Sequence, residues 1–228
     1  MCIRDSLEIG RVVRQLKEMG AYENTLILFA SDNGASAEQI IRGDDHDKTA
    51  PMGSAKSYLC LGPGFSTAAN TPFRLHKHWN HEGGISSPLI VHWPEGISTR
   101  GELRHDPSHF IDIVPTVLDV AGGSRLRTTE RSAAPAPPGL SLVPAFAKDG
   151  VVKHKTLWWC HQGNRAIRMG DWKLSARSGR NGEWELYNLK VDRCEMNDLA
   201  SKYPKKVQQM TRQWEDIAEG FRKKLRSQ

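Results

Sequence analysis

The chain lacks long apolar runs, paired cysteines and zinc-type ligand spacing, and each absence excludes a class of protein. No stretch approaches the roughly 18 to 20 apolar residues that span a bilayer, and the first residues do not have the pattern of a secretory signal. The cysteines form no Cys-x-x-Cys pair and no Cys/His zinc pattern. A disulfide between Cys160 and Cys194 is compatible with the sequence but is not decided by it.

The composition is that of an ordinary folded protein with a modest basic excess. The 228 residues are 38% hydrophobic and 25% charged, which is enough apolar material for a core of one domain or slightly more. Lys and Arg number 32 against 26 Asp and Glu, for a net charge of +6. Because the basic residues are scattered, a solvated surface is favoured over nucleic-acid binding, and a mild preference for anionic substrates fits the same charge.

The first part of the chain alternates helical and strand patterns. Helical spacing of apolar residues covers 7–19, and two continuous apolar runs of the kind found in buried strands cover 25–30 and 88–92. Residues 35–79 have little periodicity and predict a long loop, and 111–120 predict a short helix. This order predicts an α/β fold in which helices layer against part of a mostly parallel sheet.

The pattern changes beyond the Pro- and Ser-rich connection at 124–138. Short aromatic-rich strands separated by turn signals are predicted at 156–160, 165–168, 172–176 and 184–189. A final helix from about Pro204 to Lys224 places Val207, Met210, Trp214, Ile217 and Phe221 on one stripe. The sequence therefore predicts a first domain over 7–150 and a small antiparallel sheet with a C-terminal helix over 151–228.

Asp32-Asn33-Gly34 follows the first predicted strand directly. Ligands gather beyond the carboxyl ends of strands in α/β sheets, and a carboxylate beside an amide carbonyl supplies hard oxygen ligands for Ca²⁺ or Mg²⁺. Gly34 allows a sharp backbone turn behind them. The same three residues also make a good turn without any metal, so both interpretations stay open at this point.

A second candidate segment, residues 70–84, is rich in cations and imidazoles. It contains Arg74 and Lys77 together with His76, His78 and His81, and leads into the next buried strand. Cations clustered there suit an oxyanion substrate, where charge develops during group transfer. The alternative is a solvated basic loop. The Glu-Gly-Gly that closes the segment is interpreted as structural, with glycines allowing close backbone approach.

These segments resemble the type I, formylglycine-dependent sulfatases of the alkaline phosphatase superfamily. The resemblance rests on five stretches in the family's order, at 24–34 (NTLILFASDNG), 70–94 (NTPFRLHKHWNHEGG followed by PLIVHWP), 109–122 (HFIDIVPTVLDVAG), 163–174 (GNRAIRMGDWKL) and 184–200 (WELYNL through EMNDLA). Residues 7–150 would then be the C-terminal part of an arylsulfatase-like catalytic domain, and 151–228 its small C-terminal subdomain.

The resemblance implies roles for individual residues. Asp32 and Asn33 would be ligands of a calcium ion (Mg²⁺ being possible), and Lys77 would be a catalytic residue that contacts the sulfate group. His76 and His78 would line the substrate pocket, and His81 receives no catalytic role. The expected substrate is an aryl or glycan sulfate ester, and the expected location is periplasmic or secreted.

The chain departs from the family pattern in one essential part. The family makes its formylglycine nucleophile from the first residue of a Cys/Ser-x-Pro-x-Arg motif, and no cysteine of this chain lies in that context. The paired aspartates that complete the family's calcium site are missing as well. The expectation is therefore that the chain corresponds to a C-terminal fragment, that its parent is the enzyme, and that the chain alone is inactive.

Two other functions remain open on the sequence. A phosphodiesterase or phosphonate hydrolase of the same superfamily would use the same scaffold for phosphoryl chemistry. A non-catalytic module would instead use the basic loop and the aromatic sheet to bind sulfated glycans. The residue at the nucleophile position separates the first alternative from a sulfatase.

Overall fold

The computed structural model divides the chain into two compact units. One, called here the strand-pair unit, comprises residues 1–30 and 89–154; the other, the sheet unit, comprises 31–88 and 155–228. The residues that the structure describes are 3–38, 47–51, 54, 56–57, 61–123, 128–129, 132–133, 138–179 and 182–226. All the predicted site residues belong to the sheet unit.

The secondary-structure elements alternate in the first half of the chain and form a meander in the second. In chain order they are α1 (Ile3–Glu18), β1 (Ile27–Ala30), α2 (Gly62–Ala69), α3 (Glu82–Ile85), β2 (Leu89–His92), a 3₁₀ turn (Phe110–Asp112), α4 (Ile113–Val120), β3 (Thr128–Thr129), β4 (Ser132–Ala133), α5 (Val143–Ala147), β5 (Leu157–His161), β6 (Asn164–Met169), β7 (Trp172–Ala176), β8 (Trp184–Asn188) and α6 (Pro204–Arg226). Within the described ranges, no helix has the length and apolarity needed to cross a membrane.

The strand-pair unit confirms the α/β class but changes one expected detail. β1 and β2 pair antiparallel, with Ala30 opposite Leu89 and Ile27 opposite His92, where a mostly parallel sheet was expected. The chain leaves β1 and re-enters β2 at the same end of the pair, so the second strand must run back along the first. A continuous apolar run indicates burial but carries no information on strand direction, which is why the sequence misassigned it.

Several helices begin or occur where the sequence did not predict them. α1 begins at Ile3 rather than residue 7, so most of the first residues belong to the helix. α2 lies inside the predicted loop; its Gly, Ser and Thr content concealed it, although Pro63 in its first turn is a typical start signal. α4 is preceded by a 3₁₀ turn in which the Asp112 carboxylate accepts from the His109 amide over 2.8 Å.

The sheet unit contains the predicted antiparallel meander. Strands β5, β6, β7 and β8 are neighbours in sequence order, and each pair is antiparallel. One face of the sheet is covered by α6, whose Met210 and Trp214 pack against a fully buried row formed by Ile167, Leu174 and Leu186. The predicted stripe on the final helix is therefore the core of this unit, and only Phe221 at its end is largely exposed.

Cys160 and Cys194 are both free thiols, so the disulfide that the sequence allowed is not formed. Of the predicted connection at 124–138, only β3, β4 and residue 138 lie among the described residues. The predicted domain boundary near residue 150 stays a prediction. The two compact units divide the chain differently, since residues 31–88 belong to the same unit as the C-terminal sheet.

Candidate active site

The two predicted site segments are joined by main-chain hydrogen bonds. The Gly34 amide donates to the Gly84 carbonyl over 2.9 Å, and the Lys77 amide donates to the Ala35 carbonyl over 3.0 Å. The Ala35 amide in turn donates to Oδ1 of Asn70 over 2.8 Å. The backbone of Lys77 is therefore one hydrogen bond away from the strand-end segment that carries the predicted metal ligands.

Glycine is required where these segments meet. A Cβ on Gly34 would collide with the Gly83 carbonyl, and a Cβ on Gly83 would collide with the carbonyls of Arg74 and Leu75. In both cases the obstacle is backbone, which cannot rotate away as a side chain can. The structural role predicted for the two glycines after Glu82 follows from this close approach.

Asp32 and Asn33 present oxygen atoms that no described residue occupies. The Asn33 side chain donates from Nδ2 to the Gly34 carbonyl over 2.9 Å, which leaves its Oδ1 as the open group. Among the described residues nothing donates to that oxygen or to the exposed Asp32 carboxylate. Both are hard oxygen donors of the kind Ca²⁺ takes, but Ca²⁺ takes about six to eight, so this pair fits as part of a site. The described residues contain no group of three or more His, Cys, Asp or Glu placed to hold a metal.

Lys77 has a half-buried stem and an ammonium group that is available to an anion. Its Nζ lies 3.4 Å from Oε2 of Glu38, and both side chains remain more than a third exposed. An exposed pair of this kind contributes little to stability, so a better-placed anion can displace the carboxylate. This geometry is compatible with the predicted contact to sulfate, which stays a prediction.

The two predicted pocket histidines flank Lys77 and differ in their surroundings. The half-buried His76 ring has Nδ1 3.0 Å from the Lys77 carbonyl, so one nitrogen is engaged by the backbone. The His78 ring is exposed, and its backbone has a φ of 93°, in the left-handed region that non-glycine residues rarely adopt. Both lie beside Lys77, and their contact with a substrate stays a prediction.

His81, to which the sequence assigned no catalytic role, is part of a buried ionic network. It is 1% exposed, and its Nε2 lies 2.6 Å from Oε2 of Glu185. Arg74 donates to the Tyr187 hydroxyl over 2.7 Å and lies 3.5 Å from the same glutamate. Burial opposes ionisation of Glu185, but the hydrogen bond from His81 and the charges of His81 and Arg74 outweigh it and lower its pKa from 4.5 to about 2.

A second buried cluster holds the other end of the segment. Lys173 is fully buried, and its Nζ lies 2.8 Å from Oε1 of Glu82 and 2.8 Å from Oε1 of Glu195. Arg193 reaches the remaining oxygen of Glu82 at 3.0 Å. Burial opposes both charges, yet the carboxylates raise the pKa of Lys173, and Lys173 with Arg193 lowers the pKa of Glu82.

The Lys77 segment is thus attached to the sheet on both sides of the lysine. Arg74 attaches it through Glu185 and Tyr187, and Glu82 attaches it through Lys173. Because the Glu82 attachment is buried, the Arg74 attachment is partly buried and both are hydrogen-bonded, the backbone that carries Lys77 is held in place by the C-terminal sheet. This arrangement preorganises a charged side chain for binding an anion.

The sequence did not predict the burial of Lys173. In β7 the residues alternate, so Trp172 and Leu174 mark one face as apolar and leave Lys173 and Ser175 on a face that would normally be solvated. Residues 80–82 cover that second face, and the Ser175 hydroxyl lies 3.5 Å from the Asn80 carbonyl. A lone lysine inside an aromatic-rich strand was the available signal.

Comparison with known proteins identifies the family. Residues 7–124 match the family model described as Sulfatase. The chain belongs to the sulfatase family. Among curated relatives, an uncharacterized sulfatase of Schizosaccharomyces pombe is 30% identical over 91% of this chain and 40% of its own length. The N-acetylgalactosamine-6-sulfatase of Rattus norvegicus is 25% identical over 82% of this chain and 30% of its own length.

A solved structure shares the fold of this chain. The crystal structure of Ps i-CgsB superposes with a TM-score of 0.64 at 25% identity, over 92% of this chain and 40% of that chain. This sulfatase therefore spans well under half the length of the relatives it matches.

Proposed function

We propose that this sulfatase chain supplies part of the active site of a sulfuric ester hydrolase. The observation that carries the proposal is the hydrogen bond between the Lys77 amide and the Ala35 carbonyl. It supports a site in which the Lys77 ammonium binds sulfate close to the Asp32-Asn33 pair. An ester hydrolase of this kind needs a Lewis acid, cationic stabilisation of oxygen and a nucleophile. This chain offers residues for the first two.

Each residue in the proposal has a defined task. Asp32 and Asn33 would hold Ca²⁺ (or Mg²⁺) through Oδ atoms, and the ion would polarise a sulfate oxygen. Lys77 would bind a sulfate oxygen through Nζ and stabilise the charge that develops as the ester bond breaks. Because the chain has no Cys/Ser-x-Pro-x-Arg motif, we propose that it does not turn over a sulfate ester alone.

The proposed substrate is a sulfate ester of a sugar or an aryl alcohol. The name of the rat relative identifies a sugar 6-sulfate as the substrate of that enzyme, which supports a glycan sulfate here. The formylglycine of the family would come from outside the sequence of this chain, and a periplasmic or secreted location is proposed on the family resemblance.

The test is turnover by the longest reading frame that contains this chain, produced together with a formylglycine-generating enzyme. We expect release of sulfate from 4-nitrophenyl sulfate or N-acetylgalactosamine 6-sulfate, and loss of that release with a calcium chelator. Lys77→Ala should lower kcat by about 100-fold or more, the usual effect of removing one oxyanion-stabilising group.

The matched control is Lys190→Ala, which removes an exposed lysine of the same unit and should leave kcat unchanged. Circular dichroism establishes that both variants fold. If Lys77→Ala turns over sulfate esters within threefold of the unaltered protein, Lys77 does not act on the sulfate and the proposal is wrong.

A further inference from the structure

The turn between β5 and β6 projects toward the Lys77 segment. His161 and Asn164 are paired across the hairpin, so the turn consists of Gln162 and Gly163 alone. Both have positive φ values, 48° and 81°, as expected for the two central residues of a type I′ turn. A two-residue turn of this type is short and rigid, and it fixes His161 at the very end of its strand.

Asn164 attaches this turn to the residue that follows Lys77. Its side chain is 1% exposed and donates from Nδ2 to the His78 carbonyl over 3.1 Å. Its Oδ1 accepts from the Ser178 amide over 2.9 Å, so both ends of the amide are engaged. The buried amide therefore fixes the position of the His78 backbone relative to the hairpin.

The His78 and His161 imidazoles meet at the surface, and His78 follows Lys77 directly in sequence. The ring centroids of His78 and His161 lie 5.8 Å apart at 79°, and both residues are exposed. Neither ring forms a hydrogen bond or ion pair with a described residue. The left-handed backbone of His78 is an unfavourable conformation for a histidine, and unfavourable conformations of this kind are concentrated at functional sites.

We propose that His78 and His161 form a wall of the substrate site that contacts the sugar of a sulfated glycan. This inference rests on the proposed function, in which Lys77 binds the sulfate group itself. A neutral imidazole has one donor and one acceptor, so the pair can hydrogen-bond adjacent sugar hydroxyls, which are donors and acceptors too. An aryl group offers no such partners, so the wall discriminates between the two substrate classes.

The region matched by a relative named for a sugar sulfate includes both histidines. The alignment with the rat enzyme named for a sugar 6-sulfate covers 82% of this chain. The part left out is too short to reach His78 or His161 from either end of the chain, so the alignment contains both. The hairpin that carries His161 thus belongs to the region shared with an enzyme whose named substrate is a sulfated sugar.

The experiment measures substrate selectivity in the longest reading frame that contains this chain. The quantity is kcat/KM for N-acetylgalactosamine 6-sulfate divided by kcat/KM for 4-nitrophenyl sulfate. His161→Ala should lower this ratio about tenfold, the effect of losing about one hydrogen bond to the sugar. His161→Gln, which keeps a donor and an acceptor, should recover part of the loss. His105→Ala removes an exposed histidine of the strand-pair unit and should leave the ratio unchanged.

The outcomes separate this inference from the proposed function. If His161 has a purely structural role, His161→Ala lowers both kcat/KM values alike and leaves their ratio unchanged. An unchanged ratio would therefore overturn the proposal that His161 contacts the sugar. If the unaltered protein hydrolyses neither ester, the proposed function fails. NMR of histidine-labelled protein then tests separately whether His78 and His161 contact a sulfated sugar. Shifts of the His78 and His161 ring signals with N-acetylgalactosamine 6-sulfate, absent in Lys77→Ala, would support it. Ring signals that do not move would overturn it.

Discussion

Lys173→Met should destabilise the sheet unit strongly, although no surface residue changes. The side chain is fully buried and its ammonium lies 2.8 Å from a carboxylate oxygen of both Glu82 and Glu195. Methionine fills a similar volume but carries no charge. The substitution therefore leaves two buried carboxylates without their shared counter-charge. Among the described residues only Glu82 keeps a direct ion pair, with Arg193 at 3.0 Å.

The expected size of the effect follows from this loss of charge. Removing one partner of a buried ion pair costs about 3 to 5 kcal/mol, because the remaining charge is uncompensated. Taking about 4 kcal/mol and a urea m-value of about 2 kcal/mol/M, the midpoint of unfolding should fall by about 2 M.

The assay is urea unfolding followed by the fluorescence of the tryptophans packed around α6. Lys205→Met is the matched control, because Lys205 is exposed on that helix and the same atoms are removed. It should change the free energy of unfolding by less than about 0.5 kcal/mol. Adding Glu195→Gln to Lys173→Met should recover part of the lost stability, since one uncompensated charge disappears.

The pH dependence provides the refuting result. Lys173 lowers the pKa of Glu82, so its contribution is present above the ordinary glutamate pKa of 4.5 and is lost as the pH falls below it. The difference between the original protein and Lys173→Met should therefore keep its full size from pH 7 to about pH 4.5 and shrink as the pH falls further. A difference that does not shrink below pH 4.5, or that equals the Lys205→Met control at pH 7, would show that the buried charges do not stabilise the unit.

Two further predictions concern the junction and the second ionic network. Gly34→Ala should lower the free energy of unfolding by about 2 kcal/mol or more in thermal denaturation, because its Cβ would meet the Gly83 carbonyl, whereas Gly10→Ala on open α1 should raise it by about 0.5 to 1 kcal/mol. A Gly34→Ala protein as stable as the original would contradict the close approach. Glu185, with a pKa of about 2, contributes stability above pH 4.5 that is lost as the pH falls toward 2. Glu185→Gln should therefore be less stable by about 2 kcal/mol at pH 7, after screening is allowed for, and the gap should close in acid titration; a gap independent of pH would refute this reasoning.

The sequence predicted the elements whose signals are local. The meander of β5 to β8 followed from alternation and turn residues, and α6 followed from a five-residue apolar stripe. The neighbourhood of Asp32 and Lys77 followed from family resemblance and from the rule that ligands gather at strand ends. Their joining hydrogen bonds are consistent with that expectation, while the roles in binding calcium and sulfate remain predictions.

Features that depend on contacts between distant parts of the chain could not be predicted from local sequence signals. The burial of Lys173 depends on residues 80–82, which lie about ninety positions away in sequence. The antiparallel direction of β2 depends on where the intervening segment returns, and apolar runs do not encode that. His161 was passed over because the strand was expected to end at Cys160, although Gln162-Gly163 indicates a two-residue turn.

The double attachment of the Lys77 segment bears on the exchange of parts between relatives. The small sheet has the outline of a module that recombination or protein engineering would transplant as a block. A chimaera that received β5 to β8 from another sulfatase would meet Arg74 and Glu82 with foreign counter-charges. A graft should therefore transfer four residues as one set: Arg74, Glu82, Lys173 and Glu185. In natural lineages that exchanged this module, the same four residues should have changed together.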